Sequence, residues 1–127
     1  MTTGDRYIQY PEDKILKGDP GNNNLVSGIR DETLFSLAGN DTLIGGLGDD
    51  ILHGNSGLDI FQIVGAGKDT IKDFTKGEDK IDISALETYT LGSQGTDAVL
   101  YQNDNIIGIV ENLADNLTPS ETKDYLI

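Results

Sequence analysis

The chain has 127 residues, enough for one domain, with a formal net charge of −13, no cysteine, no tryptophan and only three phenylalanines. That charge argues against nucleic acid, which needs a basic footprint, and against an anionic membrane surface; the absence of cysteine excludes disulfides, thiolate metal sites and thiol chemistry. No run approaches the roughly 18 apolar residues of a membrane span, and Met1-Thr-Thr-Gly-Asp has neither the basic nor the apolar part of a cleavable export signal.

Residues 1–17 read as a leading strand or cap, because "QYPEDKILK" (9–17) keeps only Leu16 in phase with the units that begin at Gly18. From 18 to 62 a nine-residue unit recurs five times: "GDPGNNNLV", "SGIRDETLF", "SLAGNDTLI", "GGLGDDILH" and "GNSGLDIFQ". The last three units hold Gly at the fourth place, Asp at the sixth and a large apolar residue at the eighth: Gly39, Asp41, Leu43; Gly48, Asp50, Leu52; Gly57, Asp59, Phe61. The first unit has Asn23 where Asp is due, and the second has Arg30 for Gly and Glu32 for Asp. Six residues rich in Gly, Asn and Asp followed by three of β type describe a turn and a short strand. Two units make one coil of eighteen residues, so alternate units stack on the same side. Leu25, Leu34, Leu43, Leu52 and Phe61 then point inward and their neighbours outward. The predicted fold is all-β: a parallel β-roll of about two and a half coils.

One buried side chain per nine residues is too little to overcome roughly 1–2 kcal/mol of backbone entropy per residue. Stacked turns also place carboxylates about 4.8 Å apart, so a cation must lie between them. Within 18–62 the acids Asp19, Asp31, Glu32, Asp41, Asp49, Asp50 and Asp59 face a single base, Arg30. Ca²⁺ accepts 6–8 oxygens in flexible geometry, whereas Mg²⁺ resists losing water and Zn²⁺ prefers the His and Cys that are nearly absent here.

Residues 18–62 resemble the RTX (haemolysin-type) calcium-binding parallel β-roll, and "GAGKDTIKDFTKGEDKIDIS" (65–84) is similar to the segment after the repeats in serralysin-type C-terminal domains. The resemblance implies that each ion lies between two same-side turns. Carbonyls come from the second and fourth places of one turn and the first and third of the next, together with both Asp side chains. Carried over, one ion has Leu37, Gly39 and Asp41 with Gly54, Ser56 and Asp59; a second has Asp19, Gly21 and Asn23 with Ser36, Ala38 and Asp41. On the other side, Gly28, Arg30 and Glu32 face Gly45, Leu47 and Asp50, and Gly46, Gly48 and Asp50 serve an ion towards Asp69. Asn23 brings an oxygen without charge and Glu32 is one methylene too long. The Asp41/Asp59 site is therefore expected to be strongest and the Arg30/Glu32 site weakest or empty. After Gln62 the register slips, with Lys68 where Asp is due and Asp69 one late.

Residues 63–90 form a post-repeat segment, and 91–127 a C-terminal β cap. Within the cap "TDAVLYQNDNIIGIV" (96–110) reads as a hairpin around Gln-Asn-Asp-Asn, closing the open end of the roll. The end, Asp124-Tyr125-Leu126-Ile127, resembles the uncleaved signal of serralysin-like proteins exported by type I transporters. The expected mechanism is disorder in a low-calcium cytosol, passage through the transporter, and folding on calcium outside the cell. His53 is the only histidine, and no Ser-His-Asp grouping or HExxH helix exists, so no enzyme is expected. The outward Phe35, Ile44, Ile51 and Ile60 exceed what a solvated sheet needs. Cover by the C-terminal segment or by a second molecule (a homo-oligomer) is expected, with an adhesion module as the alternative. A further domain fused upstream of Met1 is compatible with this sequence.

Overall fold

The computed structural model describes residues 6–9, 15–65, 67–115 and 119–127, with side chains described from Ile15 to Asp115, Ala66 apart, and again from Thr122. Short strands alternate between two sheets. They are β1 (Arg6–Gln9), β2 (Ile15–Lys17), β3 (Asn23–Val26), β4 (Thr33–Phe35), β5 (Thr42–Ile44), β6 (Ile51–His53), β7 (Ile60–Gln62), β8 (Asp69–Ile71) and β9 (Lys80–Asp82). Beyond them lie β10 (Thr90–Gln94), β11 (Asp97–Gln102), β12 (Asn105–Val110) and α1 (Pro119–Tyr125). One sheet runs β1-β3-β5-β7-β9 and the other β2-β4-β6-β8-β12-β11-β10.

The parallel register follows the repeat residue for residue. Leu25, Leu43, Phe61 and Ile81 are paired neighbours in one sheet, and Leu16, Leu34, Leu52 and Ile71 in the other. None of these exposes more than 3% of its surface. In the three-residue strands it is the middle residue that points between the sheets, except in β8, where the last residue, Ile71, does so and Thr70 faces out, as the period of two requires. Within the repeats the core is therefore a double file of single side chains, which widens at the C-terminal end to take in Leu100, Ile107, Val110, Leu113 and Tyr125.

The roll is longer than two and a half coils, since it does not stop at Gln62. Asp69–Ile71 and Lys80–Asp82 pair in parallel with the preceding strands of their sheets, and β12 adds a further parallel strand beside β8. The insertions that shift the sequence register are absorbed in the turns, which lengthen the step between equivalent residues from 18 to 19 (Asp50 to Asp69) and to 20 (Asp59 to Asp79).

The expected hairpin is β11–β12, turning through Asn103 and Asp104 at φ 51° and 66°, the left-handed pair that a tight two-residue hairpin favours. It joins the roll side by side, covering the edge of β8. The edge of β9 is covered by the end of the chain: Ile127 N donates to Ile81 O at 2.9 Å, and Ile83 N donates to Ile127 O at 3.0 Å. Tyr125, 2% exposed, meets Phe74 edge to face at 5.6 Å. The β9 edge is thus paired by the chain end, whereas the edge of the other sheet passes from β8 to the short, largely exposed β10. The C-terminal segment prolongs the sheets and leaves Ile51 39% exposed on the outer face, where Phe35 stacks on His53 at 4.5 Å.

Candidate metal centre

Each turn delivers its sixth residue to the strand entry, side chain inward along the flank of the roll. On the flank leading into β3, β5, β7 and β9 the residues in file are Asn23, Asp41, Asp59 and Asp79. On the flank leading into β4, β6 and β8 they are Glu32, Asp50 and Asp69. All are buried, at 0–3% exposure. A ladder of backbone donors holds them: Asn23 N donates to Asp41 Oδ1 (2.6 Å), Asp41 N to Asp59 Oδ1 (2.9 Å) and Asp59 N to Asp79 Oδ1 (3.0 Å). Opposite, Glu32 N donates to Asp50 Oδ1 (2.8 Å) and Asp50 N to Asp69 Oδ1 (3.2 Å).

One oxygen of each interior carboxylate is thereby used and the other is not. Oδ2 of Asp41, Asp50 and Asp59, and both carboxylate oxygens of Glu32, are buried with no hydrogen-bond partner among the described residues. Leaving such an atom unmatched costs about 1–3 kcal/mol, and more when it is charged. Burial pushes the carboxyls of Asp41 and Asp50 up to about 6, with Glu32 adding to the effect at Asp50. Asp59 is pushed up to about 7 by burial and then by Asp79 and Asp41, and Asp69 to about 8 by burial and then by Asp50. Glu32 and Asp79 are also raised, chiefly by burial. Files of carboxylates that resist ionisation, in which Glu32, Asp41, Asp50 and Asp59 keep oxygens without a donor, are chemically suited to a cation.

The glycines make room for it. A Cβ at Gly45 would lie 2.7 Å from Asp50 Oδ2 and 2.8 Å from Asp69 Oδ2, so these two oxygens converge on a position only glycine leaves open. At Gly57, with φ 113°, a side chain would collide with the Gly39 carbonyl oxygen of the coil below. Arg30, in the place of a repeat glycine, does not take a positive φ, so its turn accepts a side chain. Leu37 does, at φ 68°, where the matching positions hold Gly46 (72°) and Asn55 (61°).

The other candidates lie mostly along the turns. Leu37, Ala38, Leu47 and Ser56 expose their side chains there, so any ligand they supply is a carbonyl. Gly21, Gly28, Gly39, Gly46 and Gly48 lie in the stacked turns, the carbonyls of Gly21, Gly28, Arg30, Gly39 and Gly48 each facing a glycine of the next coil. The carbonyls of Gly45 and Gly54 already accept the hydroxyls of Ser27 and Ser36, the latter at 2.8 Å, and a second lone pair remains on each. Asp19 turns to its own rung: its Oδ1 accepts Gly21 N and Asn23 Nδ2, both at 3.0 Å, while Asp19 N donates to Asn23 Oδ1 at 2.8 Å. Asp69, one late in sequence, is in phase in space. Among the described residues no three His, Cys, Asp or Glu side chains gather into one cluster.

Two features are not among the sequence expectations. Asp79 closes one file, and its signal is present: Gly77-x-Asp79-x-Ile81 repeats the Gly-x-Asp-x-apolar frame of Gly57-x-Asp59-x-Phe61. An outer ladder also runs along the exposed corners, where Asn40 N donates to Asn22 Oδ1 (2.7 Å), Leu58 N to Asn40 Oδ1 (2.9 Å) and Asp49 N to Asp31 Oδ1 (2.8 Å). The fifth place of each unit, mostly Asn or Asp, carries it.

Comparison with known proteins agrees with this geometry. Residues 26–61 match the family model of the RTX calcium-binding nonapeptide repeat, in four copies. The first unit, 18–26, where Asn23 replaces Asp, falls almost wholly outside that match. Among solved structures, the solution structure of the AlgE6R3 subunit from the Azotobacter vinelandii mannuronan C5-epimerase is similar in fold. Its TM-score is 0.64 at 22% identity, over 99% of this chain and 80% of that one. Comparison with curated protein sequences gives no match. The repeats of residues 26–61 are RTX calcium-binding nonapeptide repeats, and the chain winds them into a parallel β-roll.

Proposed function

We propose that this roll is the folding and export module of an extracellular protein, one that stays unfolded until calcium fills the flanks. The observation that carries the reading is the set of buried, unpartnered carboxylate oxygens on Asp41, Asp50 and Asp59. Calcium, when bound, supplies the positive charge and oxygen coordination those atoms lack. The chain's own part is to hold them: each Oδ1 is fixed by the N–H of the preceding coil, which aims Oδ2 at the gap between turns. Asp41 and Asp59 hold one ion with carbonyls of Leu37, Gly39, Gly54 and Ser56; Asp50 and Asp69 hold another with Gly46 and Gly48.

Without a cation the files repel and the thin core cannot compensate, so the repeats remain threadable chain. Calcium near millimolar outside a cell saturates sites of roughly 10⁻⁴–10⁻³ M affinity, and binding free energy becomes folding free energy. Asp124–Ile127 serves as the signal read by a type I transporter. In the folded chain Tyr125 is buried and Ile127 is paired to Ile81, so this segment is available only before folding. The roll itself carries no catalysis in this reading.

The similar solved structure is a subunit of an epimerase, which favours one second reading: an interaction module of a larger secreted enzyme, presenting the outer face around the exposed Ile51. Far-UV circular dichroism during a calcium titration, with Mg²⁺ as control, tests the first. A coil-to-β transition in the high micromolar to millimolar range, absent with Mg²⁺, is expected. A chain already fully β in chelator overturns folding on export.

A further inference from the structure

The two flanks start differently. On the first, the first described side chain is Asn23, and its rung is closed without any ion: its amide donates to Asp19 Oδ1 at 3.0 Å and its Oδ1 accepts Asp19 N at 2.8 Å. On the second, the leading residue is Glu32, 2% exposed, with neither carboxylate oxygen hydrogen-bonded among the described residues. Ser27 lies beside it, but the single hydroxyl proton of Ser27 goes to the Gly45 carbonyl. The next carboxylate in the file, Asp50, also has a free Oδ2. Three unpartnered oxygens thus belong to one pair of residues, more than the Asp41/Asp59 pair has.

We propose that Glu32 is a two-oxygen ligand of a bound calcium ion shared with Asp50, and that the opposite leading rung, Asn23 with Asp41, holds none. The inference rests on the reading of the roll as calcium-binding. It inverts the ranking that side-chain length suggests. Glu32 is one methylene longer than the Asp usual at this place; the Gly28 N–H and the Ser27 hydroxyl lie near its carboxylate and favour its charged form, yet neither carboxylate oxygen has a hydrogen-bond partner among the described residues. Both oxygens are therefore left for the metal, where each interior Asp gives one. Ca²⁺ tolerates such two-oxygen carboxylate coordination at its longer ligand distances, whereas Mg²⁺ demands a near-ideal octahedron. Arg30, whose carbonyl lies beneath Gly48, does not prevent this, because the backbone there supplies a carbonyl whatever the side chain. The two flanks would then be loaded unequally, the Glu32 side taking ions from its first rung.

The test counts calcium ions on the full chain by native mass spectrometry and isothermal titration, for the wild type, Glu32→Gln, Glu32→Asp and Asn23→Asp. Glu32→Gln is expected to lose one ion, and Glu32→Asp to keep the wild-type count at a weaker affinity. Asn23→Asp is expected to gain one, because the new carboxylate would face Asp19 and Asp41 with no amide to close the rung. A wild-type count retained by Glu32→Gln overturns the assignment of Glu32, while leaving the roll's calcium binding intact. If Glu32→Gln does not fold in calcium, Asn23→Asp decides, since it leaves Glu32 untouched; an unchanged count there refutes the asymmetry. No calcium on the wild type would overturn the reading of the roll and this proposal with it.

Discussion

Asp59→Asn should reverse its effect on stability when calcium is added. Asp59 is fully buried, its Oδ1 accepts the Asp41 N–H at 2.9 Å, and its Oδ2 has no partner. Burial, with Asp79 and Asp41 nearby, pushes its carboxyl from 3.8 up to about 7. That interval is about three powers of ten in ionisation, on the order of 4 kcal/mol against the charged form at alkaline pH; relaxation and water entering a metal-free roll leave about half of it, ~2 kcal/mol. Asparagine keeps Oδ1 and its hydrogen bond but removes the charge, as Asn23 does in the same file. In chelator at about pH 8, Asp59→Asn should therefore be more stable than wild type by ~2 kcal/mol. In excess calcium it should be less stable by roughly 3–5 kcal/mol, the usual result of removing one partner from a buried charge pair. Urea unfolding followed by far-UV circular dichroism, in chelator and in calcium, reads both signs. A loss of equal size in both media would refute the reasoning, for Asp59 would then be only a hydrogen-bond acceptor.

Acid should partly replace calcium. The folded values of Asp41, Asp50, Asp59 and Asp69 lie at about 6 to 8, above the ordinary 3.8, so their contribution to a metal-free roll is fully present below that ordinary value and is lost as pH rises through 6 to 8. A β signal in chelator that is flat across this range would contradict the burial of the four carboxyls. Leu37→Gly should stabilise the roll by about 1 kcal/mol by relieving a leucine held at φ 68°; an unchanged or lower urea midpoint would show that the turn is not strained. Phe61→Ala should lose about 3–5 kcal/mol in calcium, since Phe61 is fully buried and lies 6.3 Å from the ring of Phe74; a loss under about 1 kcal/mol would mean that the file of core side chains closes over the gap.

How far the molecule is legible in its residues depends on what the period encodes. The inward file of Leu25, Leu43 and Phe61, the glycine turns and the buried Asp41, Asp50 and Asp59 all follow from a strict nine-residue repeat, because one residue in each role recurs in each half-coil. A fixed step of nine ends the repeat at Gln62, whereas the backbone needs only the Gly-x-Asp-x-apolar frame. Asp69 and Asp79 enter their strands after turns one and two residues longer than the step of 18 between same-side carboxylates. Pairing of Ile127 with Ile81 is not legible, since nothing local in Tyr125-Leu126-Ile127 says which edge it meets. Nor is the difference between Asn23 and Glu32. It arises from which neighbours donate hydrogen bonds, and the identity of the sixth residue does not contain that.

The same count of donors separates Asp79 from Asp59, although both are buried aspartates in one file. The step from Asp59 to Asp79 takes 20 residues, and the longer turn folds on itself, with Asp79 N donating to Thr75 O at 2.9 Å. That bend brings Thr75 N to Asp79 Oδ2 at 2.8 Å while Asp59 N holds Oδ1 at 3.0 Å. Both oxygens are satisfied, so Asp79 closes the file by hydrogen bonds much as a capping aspartate closes a helix start. Asp79→Asn can keep only one of the two acceptors and leaves a buried donor unmatched, a loss of about 1–3 kcal/mol. Because no free oxygen is involved, the loss should be the same in chelator and in calcium, and the calcium midpoint should not move by more than the stability change requires. A calcium affinity that falls in Asp79→Asn as steeply as in Asp59→Asn would show that Asp79 is a ligand, and that the metal file runs one rung further than its hydrogen bonds allow.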